Sequence, residues 1–283
     1  MAVAFPAASR EEPGAGERFE GQVALVTGGG SGIGLAVAEV LAAGGASVGL
    51  LGRNLERLRT AEKKIVAAGG EAMACPGDVR DLDSVQSAVA EVEQRYGPIT
   101  FAVNAAGTGV GQKYLCDQDE ESWLRTIDTN LNGSFRFCRA VVPGMMHRRR
   151  GSIVLVSSAA GKRGVPANTA YSASKWGLNG LVRSLALEVG PAHVRVNAVC
   201  PGFTDTEMVR DESLFGGDFM DSVRRHAGPP DLTWERYWRS TVKQTALRRL
   251  IDAEEVAEMT AFLLSDHARS ITGQSYSIDG GLP

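Results

Sequence analysis

Cysteine is scarce in this sequence, which contains only four among 283 residues. They stand at Cys75, Cys116, Cys138 and Cys200, and their spacing matches neither a metal site nor a redox motif. We therefore predict no bound metal. Reduced thiols are usual in a protein of the cytoplasm, and we expect that location here.

The sequence also lacks long apolar runs and an excess of charge of either sign. No apolar stretch reaches the roughly 18 residues that a membrane-spanning helix needs. The net charge is only -3, which gives no electrostatic footprint for nucleic acid or for an anionic membrane. We expect neither of these as a partner. Hydrophobic residues make up 43% and charged residues 22%, as in an ordinary soluble globular protein.

Hydrophobic periodicity is missing from the first 18 residues, which are rich in Ala, Pro, Gly and Glu. We predict a disordered tail over residues 1–18 with no catalytic role. Its start has neither the positive charge nor the apolar core of a secretory signal, and Glu11, Glu12 and Glu17 argue against a transit peptide.

From residue 19 onward, short apolar or β-branched runs alternate with stretches of helical period. The predicted strands are Val23–Val26, Val48–Leu51, Ala72–Cys75, Phe101–Val103, Ile153–Val156, Val194–Val199 and Ser275–Ile278. The predicted helices are Gly34–Ala43, Leu55–Ala68, Leu82–Tyr96, Trp123–His147, Ala173–Val189 and Ala253–Leu264. This alternation predicts an α/β fold: one Rossmann-type, doubly wound domain over residues 19–283, with a parallel sheet of about seven strands.

Residues 203–245, which we call the lid segment, break this alternation. A long irregular connection in a compact domain is often a functional lid, and we predict a substrate lid here. The aromatic residues of the segment are Phe203, Phe215, Phe219, Trp234, Tyr237 and Trp238. They favour either an apolar wall over an active site or a helical hairpin packed into the core or a subunit interface.

A glycine-rich turn joins the first predicted strand to the first helix. It reads Thr27-Gly28-Gly29-Gly30-Ser31-Gly32-Ile33-Gly34. Glycines let the backbone turn sharply and approach a pyrophosphate, which then rests on the helix N-terminus. No Gly-Lys-Ser/Thr follows, so a nucleoside triphosphate loop is excluded.

The end of the second strand predicts the choice of dinucleotide. Gly52 stands where a site for NAD usually has an acid, and Arg53 follows at once. An arginine here suits the 2′-phosphate, so we expect NADP(H) rather than NAD(H). The alternative is a solvated arginine at a helix start. Asp78, in Gly77-Asp78-Val79, is either an acceptor for the adenine amino group or a plain turn aspartate.

Tyr171 and Lys175 carry the main chemical signal, in the run Tyr-Ser-Ala-Ser-Lys. Residues four apart on a helix share one face. A phenol with an ordinary pKa of about 10 is a poor acid or base near neutrality. A lysine cation nearby would lower that pKa toward the working range. The alternative is two ordinary residues on a helix surface.

In order and spacing, these motifs resemble the short-chain dehydrogenase/reductase family, and the likeness covers residues 19–282. The resemblance rests on Thr27–Gly34, Asp78-Val79, Asn104-Ala105-Ala106-Gly107, Asn130, Ser158, Tyr171, Lys175 and Pro201–Thr206. The sequence departs from the family at Ala105, where a second asparagine is common; this affects a local hydrogen bond.

The resemblance implies catalytic roles for four residues. Tyr171 would be the general acid during carbonyl reduction, and Ser158 would hydrogen-bond the substrate oxygen. Lys175 would hold the nicotinamide ribose and lower the pKa of Tyr171. Asn130 would bind, through its backbone, a water of a proton relay. Ser157 competes with Ser158 for its role, and the spacing to Tyr171 favours Ser158.

A cofactor-binding surface is implied as well. Pro201-Gly202 would lie against the nicotinamide, Thr204 would bond its carboxamide, and Thr206 would reach the phosphates. The cofactor-binding residues that we predict are Gly28, Ser31, Gly32, Ile33, Gly34, Arg53, Asp78, Val79, Asn104, Ala105, Gly107, Tyr171, Lys175, Pro201, Gly202, Thr204 and Thr206.

The resemblance thus predicts an NADPH-dependent reductase of a 3-oxoacyl thioester or of a bulky, polyketide-like ketone. An alcohol or hydroxysteroid dehydrogenase working toward oxidation is the alternative within the same chemistry. A dinucleotide-sensing regulator is the alternative outside it, and the intact set of four residues argues against that.

An acyl carrier protein is a candidate partner. Arg149 matches a basic residue that meets the carrier in ketoreductases of this family, whereas a second basic position is Ala192 here, beside His193. The family habit also predicts a homotetramer, formed through the helices that carry Asn130 and Tyr171 and through the last strand.

Overall fold

The computed structural model describes residues 18–212 and 217–283. A parallel sheet of seven strands forms its centre, in the order β3-β2-β1-β4-β5-β6-β9. These strands are β1 Val23–Thr27, β2 Ser47–Gly52, β3 Glu71–Pro76, β4 Phe101–Asn104, β5 Gly151–Val156, β6 Val194–Pro201 and β9 Ser275–Ile278. The predicted seven-stranded parallel sheet is confirmed. A separate parallel pair, β7 Thr204–Asp205 with β8 Ile251–Asp252, was not predicted.

Helices cover both faces of the sheet. They are α1 Gly32–Ala43, α2 Leu55–Ala67, α3 Leu82–Tyr96, α4 Glu120–Ile127, α5 Gly133–Arg148, α6 Thr169–Val189, α7 Glu207–Arg210, α8 Gly217–His226, α9 Trp234–Val242 and α10 Ala253–Leu264. Alternate strand residues enter different cores: Ala24 and Val26 pack with α1 and α10, whereas Val23 and Leu25 pack with α3 and α5. Apolar residues on both faces are what a buried parallel sheet requires.

Strand order reverses at β1, which pairs with β2 on one side and β4 on the other. In a parallel sheet the carboxyl ends of the strands share one edge, and ligands bind in the crevice at such a reversal. Register places Thr27 opposite both Leu51 and Asn104 at this edge. The glycine-rich turn therefore opens into the crevice.

The predicted continuous helix Trp123–His147 is wrong, because a π-turn at Asp128–Asn132 separates α4 from α5. A π-turn adds a residue to the helical repeat, and such turns frequently occur at functional sites. Here the inserted turn contains Asn130, which is fully buried.

Most of the predicted tail, residues 1–17, lies outside the described residues. Arg18, the last residue of that prediction, is instead part of the folded domain. Its guanidinium pairs with Glu258 at 3.3 Å and lies over the Phe19 ring. Among the described helices, none combines the length and apolar character required to cross a membrane.

The described part of the lid segment has its own apolar cluster, apart from the two cores of the sheet. Phe219, Met220 and Val223 of α8 pack with Trp234 and Trp238 of α9. Trp234 also donates its indole N–H to the carbonyl of Val209 at 2.8 Å. Phe215 lies outside the described residues.

Candidate active site

The glycine-rich turn has the backbone geometry that only glycine accepts easily. Gly28 and Gly32 have φ values of +67° and +52°, in the left-handed region. A side chain on Gly34 would collide with the carbonyl of Gly28, so α1 starts close against the strand end. A Cβ on Gly32 would lie 3.3 Å from Thr206 Cγ2, so Thr206 lies beside this turn. Ser31 occupies the N-cap of α1.

Buried hydrogen bonds connect this turn to the π-turn. Thr27 Oγ1 donates to Asn104 Oδ1 at 2.5 Å and accepts from the Ala106 N–H at 2.9 Å. Asn104 Nδ2 donates to Ser134 Oγ at 2.7 Å, and Ser134 Oγ donates to the carbonyl of Asn130 at 2.6 Å. Thr27 and Ser134 were not predicted as site residues. Ser134 joins Asn104 to Asn130, and Thr27 bonds Asn104.

Asn130 extends this chain of hydrogen bonds to the tyrosine. Its Oδ1 accepts from the Thr108 N–H at 2.8 Å, and its Nδ2 donates to the Thr108 carbonyl at 3.0 Å. The same Nδ2 donates to Ser174 Oγ at 3.1 Å, and Ser174 Oγ donates to the carbonyl of Tyr171 at 2.7 Å. The side chain thus holds a loop and a helix, while the carbonyl accepts from Ser134.

Gln112 is a third residue that was not predicted from the sequence. It is fully buried, and its Oε1 accepts from the backbone N–H of Tyr171 at 3.0 Å. Its Nε2 donates to Thr126 Oγ1 at 3.1 Å. The N-cap of α6, Asn168, makes no capping bond with its own side chain. Gln112 therefore supplies, from 59 residues away, the acceptor that the first turn of α6 needs.

The two serines at the end of β5 point to different partners. Ser157 Oγ donates to the carbonyl of Lys175 at 3.2 Å and is buried. Ser158 Oγ accepts from the Ala160 N–H at 3.1 Å, and the Ser158 side chain acts to lower the pKa of Tyr171. Of the two, Ser158 is the one that affects the pKa of the phenol, and its role at the substrate oxygen stays a prediction.

Lys175 is only 4% exposed, and its Nζ donates to the carbonyl of Val156 at 2.8 Å. Burial lowers the pKa of Lys175 to about 8. Nζ lies 5.6 Å from the centroid of the Tyr171 ring. Burial raises the pKa of Tyr171, against the lowering effect of the Ser158 side chain. The prediction that Lys175 lowers this pKa is therefore wrong for the protein on its own.

At the end of β2, Arg53 is exposed and close enough to Asp78 for its charge to affect that carboxyl. Burial acts to raise the pKa of Asp78, but hydrogen bonds and charge from Arg80, with the charge of Arg53, lower it overall. Both carboxylate oxygens of Asp78 accept from the Arg80 side chain. Arg57, the other arginine beside the glycine-rich turn, has its guanidinium bound to Glu207.

A cavity of about 400 Å³ lies at the carboxyl edge of the sheet. The predicted site residues that line it are Ile33, Ala105, Gly107, Ser158, Tyr171, Lys175, Pro201, Gly202, Thr204 and Thr206. Asn104 and Asn130 lie behind it, fully buried. Val79 is buried too, against Gly133 at the start of α5.

The aromatic residues of the lid segment divide between the two predicted environments. Phe203 and Tyr237 line the cavity. Phe219 and Trp234 instead pack in the cluster of the lid segment, where their rings meet edge to face at 5.9 Å. An apolar wall and a packed hairpin therefore both exist, and Phe203 and Tyr237 connect them because they line the cavity and also pack against the cluster.

These residues fit a nicotinamide dinucleotide. Gly32 has no side chain, and this leaves space between the turn and Thr206 that a Cβ would otherwise occupy. The turn leads to the N-terminus of a 12-residue helix, where unpaired N–H groups favour a pyrophosphate. The cavity continues from there to Ser158, Tyr171 and Lys175.

Comparison with known families gives two matches along the chain. The short chain dehydrogenase model matches residues 22–214, which is more than half of the chain. A model described as enoyl-(acyl carrier protein) reductase matches residues 231–283.

Individual proteins that are similar to this chain have names of the same kind. A putative ketoacyl reductase of Streptomyces coelicolor is 38% identical over 266 residues, or 93% of this chain and 97% of the relative. A 3beta-hydroxysteroid dehydrogenase of Mediterraneibacter gnavus is 36% identical, over 93% of this chain and 95% of its own length. A crystal structure of a variant actinorhodin polyketide ketoreductase with NADPH has a TM-score of 0.82 and 37% identity, covering 92% of this chain and 97% of that one.

Proposed function

Because this chain belongs to the short-chain dehydrogenase/reductase family, whose relatives are oxidoreductases, we propose that it is an NADPH-dependent ketoreductase. Its substrate would be a 3-oxoacyl thioester or a bulky, polyketide-like ketone, reduced to a secondary alcohol. The observation that carries this proposal is that Tyr171 lines one cavity together with Ser158 and Lys175, and that Phe203 and Tyr237 line the same cavity.

The proton chemistry belongs to Tyr171 and Ser158. In reduction, the cofactor, when bound, would supply a hydride to the carbonyl carbon, and the carbonyl oxygen would take a proton. Tyr171 donates that proton, and Ser158 hydrogen-bonds the same oxygen so that its growing negative charge is stabilised. A phenol with a raised pKa keeps its proton near neutrality, as an acid must before it donates.

Lys175 and Asn130 support this acid in the proposed mechanism. Lys175 has a pKa of about 8 and therefore stays largely protonated at neutral pH, where it offers N–H donors to a ribose hydroxyl. Asn130 acts through position: its side chain holds Thr108 and Ser174, and Ser174 holds the carbonyl of Tyr171. A water on the Asn130 carbonyl, which also accepts from Ser134, would complete the proton relay.

The dinucleotide is held, in our proposal, by the predicted cofactor-binding residues. NADP(H) is preferred over NAD(H) because Arg53 follows Gly52 at the strand end and no acid stands there. Among residues 18–212 and 217–283, Arg53 forms no ion pair, so its guanidinium is available for a phosphate. The NADPH-containing ketoreductase structure supports the same choice.

A carrier-bound substrate is the form that we favour. The Arg149 guanidinium donates to the carbonyl of Pro191 at 3.0 Å, which brings it beside Ala192 and His193. Arg149 and His193 are exposed there, whereas Ala192, at the second carrier-contact position expected from the family, is buried. We propose that an acyl carrier protein docks there and that the reaction takes place in the cytoplasm, in keeping with four cysteines that form no disulfide.

A hydroxysteroid dehydrogenase remains the second candidate, because one relative has that name and the same residues can work toward oxidation. A screen of acetoacetyl-CoA, decalones and steroid alcohols with both cofactors separates the two. We expect reduction of the ketones with NADPH. Steroid oxidation alone would favour the second candidate, and no turnover despite tight NADPH binding would favour a dinucleotide sensor.

Replacing Tyr171 with Phe tests the general acid. We expect turnover to fall by about 10²–10⁴-fold, because the variant has no proton to donate. The dissociation constant for NADPH should change little. Tyr96→Phe on α3 is the matched control and should keep its rate. Wild-type turnover in Tyr171→Phe would contradict this assignment.

Replacing Arg53 with Ala tests the cofactor preference. A charge-assisted hydrogen bond to the 2′-phosphate contributes about 1.5–3 kcal/mol, so KM for NADPH should rise about 10- to 100-fold. KM for NADH should stay nearly constant. Arg59→Ala removes the same charge from the exposed face of α2 and should change neither value. An equal rise for both cofactors would refute the phosphate contact.

A further inference from the structure

Three side chains with metal-binding atoms converge where the lid segment meets the loop after β4. Cys116 and Asp117 belong to a short 3-10 turn, Leu115–Asp117, and His226 ends α8. Cys116 Sγ lies 3.5 Å from His226 Nε2, and the same nitrogen lies 3.0 Å from Asp117 Oδ2. All three donor atoms lie within 4.8 Å of one another. None of these residues lines the cavity.

These distances suit a tetrahedral cation. Zinc binds sulfur at about 2.3 Å and nitrogen or oxygen at about 2.0–2.2 Å. At tetrahedral angles, the ligand atoms are then separated by about 3.6 Å for sulfur and nitrogen, and by about 3.4 Å for nitrogen and oxygen. The sulfur–nitrogen separation is close to this value, and the nitrogen–oxygen pair needs to open by only a few tenths of an ångström. The sulfur and the oxygen lie within 4.8 Å of each other, and a tetrahedral cation would bring them to about 3.6 Å.

Neighbouring residues already orient two of the three ligands. Ser222 is buried; its Oγ donates to Asp117 Oδ2 at 2.7 Å and accepts from the Tyr114 N–H at 3.0 Å. The Tyr114 ring lies against the His226 imidazole, with centroids 4.9 Å apart. Such outer contacts fix ligand orientation at metal sites.

Charge at the cluster is compatible with a divalent cation. A thiolate and a carboxylate together neutralise two positive charges. Arg225 opposes the binding of a cation, but its guanidinium pairs with the other oxygen of Asp117, Oδ1, at 3.0 Å. It therefore does not occupy Oδ2, which is the oxygen that contacts His226 Nε2. Cys116 and His226 are exposed, so an ion can reach them from solvent.

We propose that Cys116, Asp117 and His226 bind Zn²⁺ or another thiophilic divalent cation, with water as the fourth ligand. Binding would release the thiol proton of Cys116 and would involve no change of oxidation state. The sequence predicted no metal site because Cys116 and His226 are 110 residues apart. Only the packing of α8 on the loop after β4 brings them together.

Such an ion would clamp the lid segment. Phe219 of α8 packs against Trp234 and Tyr237 of α9, and Tyr237 lines the cavity. Fixing the end of α8 to the loop after β4 would therefore restrict movement of the cavity wall. This site is independent of the proposed reaction, and its test needs no turnover.

Titration of the full-length, metal-free protein with Co²⁺ provides the test. We expect one Co²⁺ per chain, the intense visible bands of a tetrahedral site, and a near-ultraviolet band from a sulfur–cobalt bond. Zn²⁺ should displace the cobalt. Cys116→Ser should abolish the sulfur band, and His226→Gln should weaken binding at least tenfold. His147→Gln, on α5, is the matched control and should bind like the wild type.

Amide hydrogen exchange gives a second readout. Zn²⁺ should slow exchange in α8 of the wild type and leave that of Cys116→Ser unchanged. NADPH binding by each variant shows that it is folded. A missing sulfur band in the wild type, or the same band in Cys116→Ser, would overturn the proposal.

Discussion

At the scale of a single residue, Lys175 shows how burial changes the pKa of a group in this site. Its side chain is surrounded by protein, and its ammonium donates to one carbonyl, that of Val156. Removing a cation from water disfavours its charged form, and this lowers the pKa from 10.5 to about 8. The protein therefore keeps a buried ammonium group at the place where the hydroxyls of a ribose would provide further hydrogen-bond acceptors.

This pKa implies that stability depends on pH. Below about pH 8, Lys175 is protonated in both the folded and the unfolded states, and the folded state bears the full cost of the buried cation. Between about 8 and 10.5, the folded protein releases the proton while the unfolded chain keeps it. The unfolded state then binds more protons, so stability rises with pH across this window.

Lys175→Met removes that dependence. We expect the stability of the wild type, relative to this variant, to rise by at most about 3 kcal/mol between these two pH values. Terms that do not depend on pH cancel in this comparison. Urea unfolding of both proteins at several pH values measures it. Lys63→Met, at an exposed position on α2, should track the wild type. A constant difference for Lys175→Met would mean that the lysine keeps its ordinary pKa.

Single residues differed in how well the sequence predicted them. Ser158, Tyr171 and Lys175 follow from local signals, since one ends a strand and two share a helix face. Gln112 and Thr27 do not, because each acts through a partner more than fifty positions away. A buried polar residue with such a role has no local pattern, so only the folded structure identifies it.

At the scale of an element, the π-turn is a feature that the sequence pattern did not predict. Apolar positions continue at helical spacing through residues 123–147, so periodicity predicted one helix and could not detect the inserted residue. The carbonyl of Asn130 accepts from Ser134 Oγ, and its amide turns inward to Thr108 and Ser174. In this turn the buried amide of Asn130 is fully hydrogen-bonded, and its bonds join the loop at Thr108 to the helix at Ser174.

Asn130→Ala tests this connection. The change removes bonds to Thr108 and Ser174 and leaves their groups unpaired in a buried place, so we expect a loss of roughly 2–4 kcal/mol in the free energy of unfolding. Asn132→Ala, in the same π-turn, is the control: its amide bonds Asp128 at an exposed position, and we expect a change within about 0.5 kcal/mol. Urea denaturation compares the two. Similar losses in both variants would show that the hydrogen bonds of Asn130 add no stability.

At the scale of the whole molecule, the alternation of strands and helices was sufficient to predict the parallel sheet. Each apolar run enters two cores, and each intervening helix covers one face, so local patterns and global fold agree. The homotetramer stays a prediction. Exposed apolar side chains on the two helices concerned, Phe135 of α5 with Trp176 and Leu187 of α6, are where a second copy would pack.

The lid segment is less tightly joined to the rest of the molecule. Its cluster is separate from both cores of the sheet, and the pair β7–β8 has two residues in each strand. The irregular sequence of the segment indicated where it lies. It could not predict which aromatic residues line the cavity and which pack in the cluster, because that depends on how α8 and α9 pack. A unit with its own small core is expected to open at a lower free energy than the sheet.

Trp234→Ala tests that independence. The side chain is 4% exposed, and its loss should cost the lid segment about 3–5 kcal/mol of local stability. We expect faster hydrogen exchange in α8 and α9, unchanged exchange in β1, β4 and β5, and a higher KM for the ketone with little change in NADPH affinity. Arg236→Ala, which removes an exposed ion pair with Asp231 from the same helix, should have little effect. Equal loss of protection in the sheet would mean that lid segment and sheet unfold as one unit.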